Sequence, residues 1–227
     1  MPFELWLAPL ASAASGDDAL LDEHERARAA RFAFERDRQR YVAAHVALRQ
    51  VLGQRIGRPP ASLRFETGAF GKPRLRGEPR CAFSLSHSGD QALIALSDDG
   101  EIGVDLEQLR PLPDLDALAR QCLAPREHFH FDATPLAERE LAFLRAWTRK
   151  EACLKALGTG LQVEPASFET GIDTSEQPVR IDTSQGAREV VVWSLETVPG
   201  WIAALAWSAS RPKEGMPAAS PNLYSPL

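Results

Sequence analysis

Two short segments of the chain combine carboxylates with an amine at spacings that place them on shared faces of a strand and of a helix. Asp105 and Glu107 stand two residues apart in an alternating sequence, so both point to one face of a predicted strand. Glu151 and Lys155 stand four residues apart and share one face of a predicted helix. Because neighbouring carboxylates repel each other unless a proton or cation lies between them, the set favours a cation site. Taken alone, an acidic pair on a strand is usually a solvated face, and Glu151 with Lys155 is described as well by a surface ion pair.

The kinds of ligand in these segments indicate which cation they suit. Three carboxylates without a cysteine cluster favour Mg²⁺, or Mn²⁺, over Zn²⁺, because hard cations prefer oxygen ligands. Cys81, Cys122 and Cys153 are too widely spaced for a zinc site and are typical of reduced cysteines in a cytosolic protein. His128 and His130 have no further ligands near them in the sequence, so we interpret both as structural.

Two further segments are suited to a phosphorylated ligand. Ser86 and His87 precede Gly89, and a hydroxyl, an imidazole and backbone N–H groups at a glycine turn can receive a phosphate. Turn capping explains the same residues equally well. In Gly71-Lys72-Pro73, the glycine and proline favour a turn that exposes Lys72. The sequence contains no P-loop, nucleophile elbow or dinucleotide-binding glycine pattern.

The elements that must position these groups follow from hydrophobic periodicity and turn residues. The pattern predicts helices over residues 22–56, 114–130 and 138–157. It also predicts a first strand over 3–7, a three-stranded meander over 82–86, 92–97 and 101–107, and a closing hairpin over 190–195 and 201–208. The acidic pair then lies on the third meander strand, and Glu151 and Lys155 lie on the last helix.

A faint repeat in the sequence predicts two related halves. The ends of the two long helices resemble each other, and so do the hairpins that follow: 48–53 and 153–158, then 84–96 and 194–205. We therefore expect an α+β fold of two pseudo-symmetric α+β halves, 1–108 and 109–208, with the active site in the cleft between them. Residues 209–227, rich in proline and small residues, are predicted to form a disordered tail.

Composition limits the class of partner. The 227 residues carry a formal net charge of −5, which argues against a nucleic-acid binder, since such proteins carry a basic excess. No apolar run is long enough to span a bilayer, and the N-terminal sequence lacks the basic start of a signal peptide. We therefore expect a cytoplasmic protein with neither a membrane nor a nucleic-acid partner.

Together and in this order, these segments resemble the Sfp-type 4′-phosphopantetheinyl transferase family, part of the holo-[acyl/peptidyl carrier protein] synthase superfamily. The resemblance rests on four segments: 71–73, 83–89, 102–107 and 147–161. It covers roughly residues 20–170, and the closing hairpin is consistent with it. The acidic strand and the Lys-Glu helix are highly specific as a pair, and neither departs from the family pattern.

The resemblance implies a monomeric enzyme that moves the 4′-phosphopantetheine group of coenzyme A onto a serine of an apo acyl, peptidyl or polyketide carrier protein, releasing 3′,5′-adenosine bisphosphate. The implied Mg²⁺ ligands are Asp105, Glu107 and Glu151, with Mn²⁺ as the alternative ion. Asp105, Glu151 and Lys155 are the implied catalytic residues. The implied contacts to coenzyme A are Lys72, Ser86, His87, Lys155, Arg40 and Arg28.

Several alternatives stay open on the sequence alone. The base that takes the serine proton is Glu151, directly or through a metal-bound water, or Glu127. The segment 118–131 is either a surface that receives the carrier, through Arg120, Arg126, Phe129 and Phe131, or a core segment whose aromatics are buried. A metal-dependent nucleotide pyrophosphohydrolase and a non-catalytic coenzyme A-binding module are the rival functions.

Overall fold

The computed structural model describes residues 3–10, 17–68, 70–172 and 176–209. Within these ranges the chain forms five α-helices: α1 (Glu23–Ala29), α2 (Glu35–Ile56), α3 (Leu115–Cys122), α4 (Pro125–Ala133) and α5 (Arg139–Leu157). It also forms nine strands: β1 (Phe3–Pro9), β2 (Phe65–Thr67), β3 (Pro73–Leu75), β4 (Ala82–Ser88), β5 (Gln91–Ser97), β6 (Glu101–Gln108), β7 (Gln177–Thr183), β8 (Gly186–Leu195) and β9 (Trp201–Ser208).

The strands form two main antiparallel sheets with related topologies. The first has the order β1-β5-β4 and the second has the order β6-β9-β8-β7, while β2 and β3 form a small ribbon. In each main sheet, the first strand in sequence pairs with the second strand of a later hairpin. A long helix, α2 or α5, lies in the sequence between that first strand and the hairpin. The predicted α+β fold of two similar halves is therefore confirmed.

The strand that carries the acidic pair is anchored by its apolar face. Ile102, Val104 and Leu106 are fully buried in a core that contains side chains of β1, β5, β8 and β9. Successive side chains of a strand point to opposite faces, so Asp105 and Glu107 face away from this core. The alternation read from the sequence is confirmed, and it fixes which face of β6 carries the carboxylates.

The predicted helix over 22–56 is in fact two helices. Asp22 and Glu25 form a capping box that starts α1, and this helix ends at Ala29 before α2 begins at Glu35. The second helix passes through Gly53 and ends at Ile56; the capping residue Gly57 has a φ of 68°, the left-handed conformation that favours glycine. The predicted helix over 114–130 also divides, because Pro125 starts a new helix at its first position.

The predicted three-stranded meander was wrong in its third strand. The strands β4 and β5 form a hairpin, but β6 pairs with β9 in the second sheet. Long-range pairing decides this, and local alternation carries no signal for it. The sheet order places the division between the halves near residue 100, whereas the predicted first half extends to residue 108.

Three strands were not expected from the sequence. The strands β2 and β3 have three residues each, and β7 is an edge strand that contains Pro178, which weakens its strand signal. Of the predicted disordered tail, residues 210–227 lie outside the described residues. Among the helices in the described ranges, none has the length and apolar character needed to cross a bilayer.

Candidate active site

Three serines of β4 connect the first sheet to the second. The serine ladder, defined as Ser84, Ser86 and Ser88, lies on one face of β4 and accepts hydrogen bonds from backbone N–H groups of β6. The donors and distances are Val104 to Ser84 at 3.0 Å, Leu106 to Ser86 at 3.2 Å and Gln108 to Ser88 at 3.0 Å. Hydroxyl groups therefore take the place that backbone carbonyls hold between the strands of a regular sheet.

The same hydroxyls hold the two carboxylates of β6. Ser86 Oγ donates to Asp105 Oδ1 at 2.9 Å, and Ser88 Oγ donates to Glu107 Oε2 at 2.9 Å. Asp105 is only 4% exposed, and its Oδ2 is buried without a hydrogen-bond partner among the described residues. A buried carboxylate oxygen in that condition is costly unless another group satisfies it.

The helix α5 contributes the third carboxylate and the amine because it packs directly on β6. A Cβ at Gly103 would overlap the Ala152 carbonyl oxygen, so only glycine permits this approach. As a result, Lys155 Nζ lies 2.6 Å from Asp105 Oδ1 and 3.1 Å from Ser86 Oγ. Glu151 lies one helical turn earlier on the same face.

The electrostatics of the site indicate carboxylates held close together. Burial, followed by repulsion from Asp105, raises the pKa of Glu107, although Ser88, Arg110 and Lys155 oppose the rise. Burial and then Asp105 also raise the pKa of Glu151, against the opposing effect of Lys155, and Glu107 adds further repulsion. Both glutamates are therefore harder to ionise than a glutamate in water, which is the condition that a bound cation relieves.

The donor set fits a hard divalent cation, although the carboxylates do not form a finished shell. Within the described ranges, no three carboxylate, imidazole or thiol side chains are close enough together to hold a metal ion as they stand. The buried, unpartnered Asp105 Oδ2 and the raised pKa values of the two glutamates nevertheless match an all-oxygen site for Mg²⁺ or Mn²⁺.

A cavity of about 780 Å³ lies beside these groups, within the size range of small-molecule sites. Both halves contribute to its wall: Tyr41 and His45 from α2, Phe83, Leu85 and His87 from β4, and Glu151, Leu154 and Lys155 from α5. Arg28 and Lys72 also line it. The cavity therefore brings aromatic and apolar side chains together with cationic groups, as a ligand with an aromatic ring and phosphates requires.

Positive charge concentrates around His87. Burial lowers the pKa of His87 first, and the nearby His45, Lys155, Arg28 and Arg40 lower it further. Arg28 lies over the Tyr41 ring at 5.7 Å and lines the cavity. Arg40 forms an ion pair with Asp90 at 2.6 Å. Carboxylates offset part of this charge, because Glu25 lies 2.9 Å from His45 and lines the same cavity, whereas Arg28 lines the cavity with its guanidinium over an aromatic ring.

Two residues predicted to contact coenzyme A have their polar atoms engaged within the protein. Ser86 Oγ faces Asp105 and Lys155. The Lys72 ammonium donates to Glu101 at 2.6 Å and to the carbonyls of Ile102 and Ala156 at 3.0 and 2.9 Å. Lys72 therefore joins the β2–β3 ribbon to β6 and to the end of α5, and it also lines the cavity.

Glu127 belongs to a second buried network. It is 2% exposed, forms an ion pair with Lys150 at 2.7 Å, and accepts hydrogen bonds at both carboxylate oxygens. The donors are the N–H groups of Ala124, Thr170 and Gly171 and the hydroxyl of Thr170. Lys150 also donates to the carbonyls of Pro165 and Phe168. This saturation is typical of a structural ion pair.

The segment 118–131 has one phenylalanine buried in the core and one exposed on the surface. Phe131 is buried in the core of the second half, whereas Phe129 on α4 is 72% exposed. Arg120 and Arg126 are also exposed, and Arg126 lies 3.7 Å from Glu169. The core interpretation therefore holds for Phe131 but not for Phe129.

Sequence reasoning did not single out Ser88, which holds a carboxylate of this site, or Ser84, which joins the two sheets without holding one. A serine at every second position of a predicted strand was the available signal. The role of Lys150 was also missed, because nothing in the local pattern distinguishes a buried lysine from a surface one. Both omissions concern groups whose partners lie on distant elements.

Comparison with known proteins places the chain in a family. Residues 101–206 match the model described as 4′-phosphopantetheinyl transferase superfamily, and residues 7–99 match the one described as 4′-phosphopantetheinyl transferase, N-terminal. The chain is 38% identical to 4′-phosphopantetheinyl transferase HetI of Nostoc sp. over 80% of its length and 75% of that protein. It is 32% identical to 4′-phosphopantetheinyl transferase psf-1 of Bacillus pumilus, covering 76% and 73% of the two chains. It is also 26% identical to 4′-phosphopantetheinyl transferase Sfp of Bacillus subtilis, covering 81% and 80%. The chain belongs to the 4′-phosphopantetheinyl transferase superfamily.

Proposed function

We propose that this protein transfers the 4′-phosphopantetheine group of coenzyme A to a serine hydroxyl of an apo carrier protein. The proposal depends on one observation: Lys155 contacts Asp105, and both interact electrostatically with Glu151, beside a cavity lined by both halves. In the reaction, the serine oxygen forms a bond to the β-phosphorus, the bond from that phosphorus to the bridging oxygen breaks, and 3′,5′-adenosine bisphosphate leaves. Such transfers depend on positioning and charge stabilisation more than on covalent help from the enzyme.

The three carboxylates Asp105, Glu107 and Glu151 are the residues that would hold Mg²⁺, with Mn²⁺ as an alternative. When bound, the cation supplies charge neutralisation at the pyrophosphate oxygens. The chain contributes the Lys155 ammonium, which Asp105 and Ser86 hold at the cavity wall. An ammonium fixed in this way stabilises charge that develops on the leaving phosphate without having to reorganise during the reaction.

Glu151 is the base that we favour for the serine proton. It lines the cavity beside Lys155, where the serine hydroxyl has to approach the β-phosphorus. Glu127 is disfavoured because its two oxygens accept hydrogen bonds from Ala124, Thr170 and Gly171 and pair with Lys150. A carboxylate so fully engaged would lose several bonds on taking up a proton.

The cationic side of the cavity is the proposed place for the 3′-phosphate end of coenzyme A. His87 and Arg28 line the cavity there. Arg40 is not among the lining residues, but its charge helps to lower the pKa of His87. We propose that Lys72 contributes to the nucleotide site as part of the wall, since its ammonium is bound to Glu101 and two carbonyls. Ser86 would act beside the pyrophosphate, through Asp105 and Lys155.

The proposed partner is a carrier protein, and the proposed receiving surface consists of Arg120, Arg126 and Phe129. An acidic, partly apolar helix would find charge and apolar complementarity on such a surface. We propose that the enzyme acts as a monomer in the cytoplasm. The free thiols of Cys81, Cys122 and Cys153 are typical of a reducing compartment.

The test of the function is mass spectrometry of an apo carrier protein incubated with coenzyme A, Mg²⁺ and this enzyme. The expected result is a mass gain of one phosphopantetheine group, lost on addition of a chelator and restored by excess Mg²⁺. Cleavage of coenzyme A without a carrier would instead favour a nucleotide pyrophosphohydrolase. Coenzyme A binding without transfer to any of several carriers would favour a binding module.

The receiving surface has its own test. Arg126→Glu reverses the charge of an exposed side chain on α4 and is expected to raise the KM for the carrier severalfold with little change in kcat. Arg36→Glu is the matched control, because Arg36 is similarly exposed but lies on α2 in the first half. An unchanged KM in the Arg126 variant would place the carrier elsewhere.

A further inference from the structure

We propose that Ser88 is a positioning residue for the cation site, and that the serine ladder fixes the acidic strand in register with the first half of the molecule. This inference rests on the proposed function, because it concerns the carboxylates assigned there to the cation. Its basis is a pair of hydrogen bonds on one hydroxyl. Ser88 Oγ accepts from the Gln108 N–H at 3.0 Å and donates to Glu107 Oε2 at 2.9 Å.

The two bonds give the hydroxyl a fixed direction. A serine hydroxyl has one proton, and the N–H of Gln108 occupies one of its acceptor positions. The proton is therefore directed at Glu107. Ser88 is itself held in place, because its carbonyl accepts a hydrogen bond from the Trp201 indole at 3.1 Å. Strand β4 of the first half thus orients a carboxylate that belongs to the second.

The three serines of the ladder all accept a hydrogen bond from β6, but they differ in whether they donate one to a carboxylate. Ser86 takes the Leu106 N–H and donates to Asp105, where Lys155 joins the same atom. Ser84 takes the Val104 N–H, but among the described residues no carboxylate accepts a bond from it. All three serines therefore join the halves, whereas only the two nearer the end of β4 hold acidic side chains.

The physical consequence is a lower cost of binding a cation. A free glutamate must give up rotamer freedom to become a ligand, whereas one already fixed by a hydroxyl has lost most of that freedom. Partners that orient metal ligands typically contribute about 10–100-fold to metal affinity. Ser88 is expected to contribute within this range, through Glu107.

The experiment compares Ser88→Ala with Ser84→Ala in the full-length chain. Binding of Mn²⁺ is measured by water-proton relaxation with no carrier, so turnover plays no part in the readout. Coenzyme A is kept at a saturating concentration for each variant, because Ser84 lines the cavity. We expect Ser88→Ala to raise the Kd for Mn²⁺ by about 10–100-fold, and Ser84→Ala to leave it unchanged. Both variants should lower the unfolding midpoint similarly, because each leaves one β6 N–H without its acceptor.

Two further variants keep the test decisive. Ser88→Thr retains the hydroxyl and should restore most of the affinity for Mn²⁺. If Ser88→Ala does not fold, Ser88→Cys provides the comparison, because a thiol is a weak donor of similar size. Wild-type affinity in a folded Ser88→Ala or Ser88→Cys protein would overturn the inference, and so would an equal loss in Ser84→Ala.

The outcome for the wild type separates this inference from the proposed function. If the wild-type protein binds Mn²⁺ and modifies the carrier while the Ser88 variants bind equally well, the function stands and the positioning role fails. If the wild-type protein binds no Mn²⁺, the cation site and the inference fail together.

Discussion

Adjacent residues of α5 enter two buried charge clusters that differ in how well their members are satisfied. Lys150 joins Glu127 in a network where both carboxylate oxygens and the ammonium have several partners. Glu151 faces Asp105 and Glu107, where one buried oxygen has no partner among the described residues and two carboxyl pKa values are raised. The first, the saturated cluster of Glu127 and Lys150, resembles a structural ion pair. The second, the strained cluster of Asp105, Glu107 and Glu151, holds carboxylates that repel each other and resembles a ligand site.

The difference shows how to distinguish candidate residues of the same type. Glu127 and Glu151 are both candidates for the base. Glu151 lies on α5, and Glu127 lies on α4 and forms an ion pair with Lys150 of α5. A glutamate whose charge is already balanced by an ammonium and backbone N–H groups has little to offer a substrate. A glutamate whose charged form is destabilised by its neighbours is stabilised when it binds a cation or a proton.

The strongest test of this comparison is to neutralise the two glutamates one at a time. Glu151→Gln is expected to lower the rate of carrier modification by about 10²–10⁴-fold, since it removes the proposed base and a proposed cation ligand. The variant should unfold no more easily than wild type, because it removes repulsion from Asp105. Initial rates by mass spectrometry and urea unfolding measure both effects.

Glu127→Gln is the control for that substitution. It should unfold more easily, because Lys150 keeps a buried charge without its counterion. Where it folds, it should retain far more activity than Glu151→Gln. A well-folded Glu127→Gln protein as inactive as Glu151→Gln would contradict the assignment of the base.

Lys150→Met tests the saturated cluster from its other side. Lys150 is fully buried, and its removal leaves the Glu127 charge unpaired in the core. Breaking such a pair costs about 3–5 kcal/mol of unfolding free energy. Equilibrium unfolding in urea measures the loss. The double variant Lys150→Met/Glu127→Leu should recover part of it, and no recovery would show that the pair does not act as a unit.

The pH dependence of metal stabilisation sharpens the description of the strained cluster. Because the pKa values of Glu107 and Glu151 are raised above 4.5 in the folded chain, both take up protons at a higher pH than in the unfolded chain. Their contribution to the metal-free stability is therefore greatest at low pH and falls as the pH rises through the raised pKa values.

A bound cation should act in the opposite sense. The increase in Tm caused by Mg²⁺ should be largest near neutral pH and should shrink on acidification while the pH is still above 4.5, because protons compete with the cation. Thermal unfolding across this range, with and without Mg²⁺, provides the measurement. An increase that stays constant down to pH 4.5 would exclude these glutamates as ligands.

The smallest expected effect concerns Lys72, which shares features of both clusters. Its ammonium is saturated like that of Lys150, yet its side chain lines the cavity like that of Lys155. Lys72→Met is expected to cost about 1–3 kcal/mol of unfolding free energy by leaving buried carbonyls without a donor, and to raise the KM for coenzyme A.

Arg74→Met is the matched control for Lys72→Met. Arg74 binds the same Glu101 from an exposed position, where an ion pair contributes about 1 kcal/mol or less. Equal losses in the two variants would mean that only the shared ion pair with Glu101 matters, and that the carbonyl contacts of Lys72 do not.

Much of the site could be predicted because its signals are local. The alternation around Asp105 and Glu107 follows from the two-residue period of a strand, and the four-residue spacing of Glu151 and Lys155 follows from the helix. The partner of β6 could not be predicted, since β5 and β9 offer similar apolar faces and only the packed halves distinguish them. The orientation of Ser86 toward Asp105 depends on the same choice of partner.

By itself, the sequence determined most of the helices and strands, the acidic and basic residues on the faces of β6 and α5, and the likeness between the two halves. Only the tertiary structure decided which charges are satisfied. Lys150 and Glu151 are neighbours in sequence, but one is neutralised by Glu127 and the other faces further carboxylates. The physical reason is that a side chain's electrostatic state depends on burial and on partners brought from distant parts of the chain, and residue type and local spacing carry no information about either.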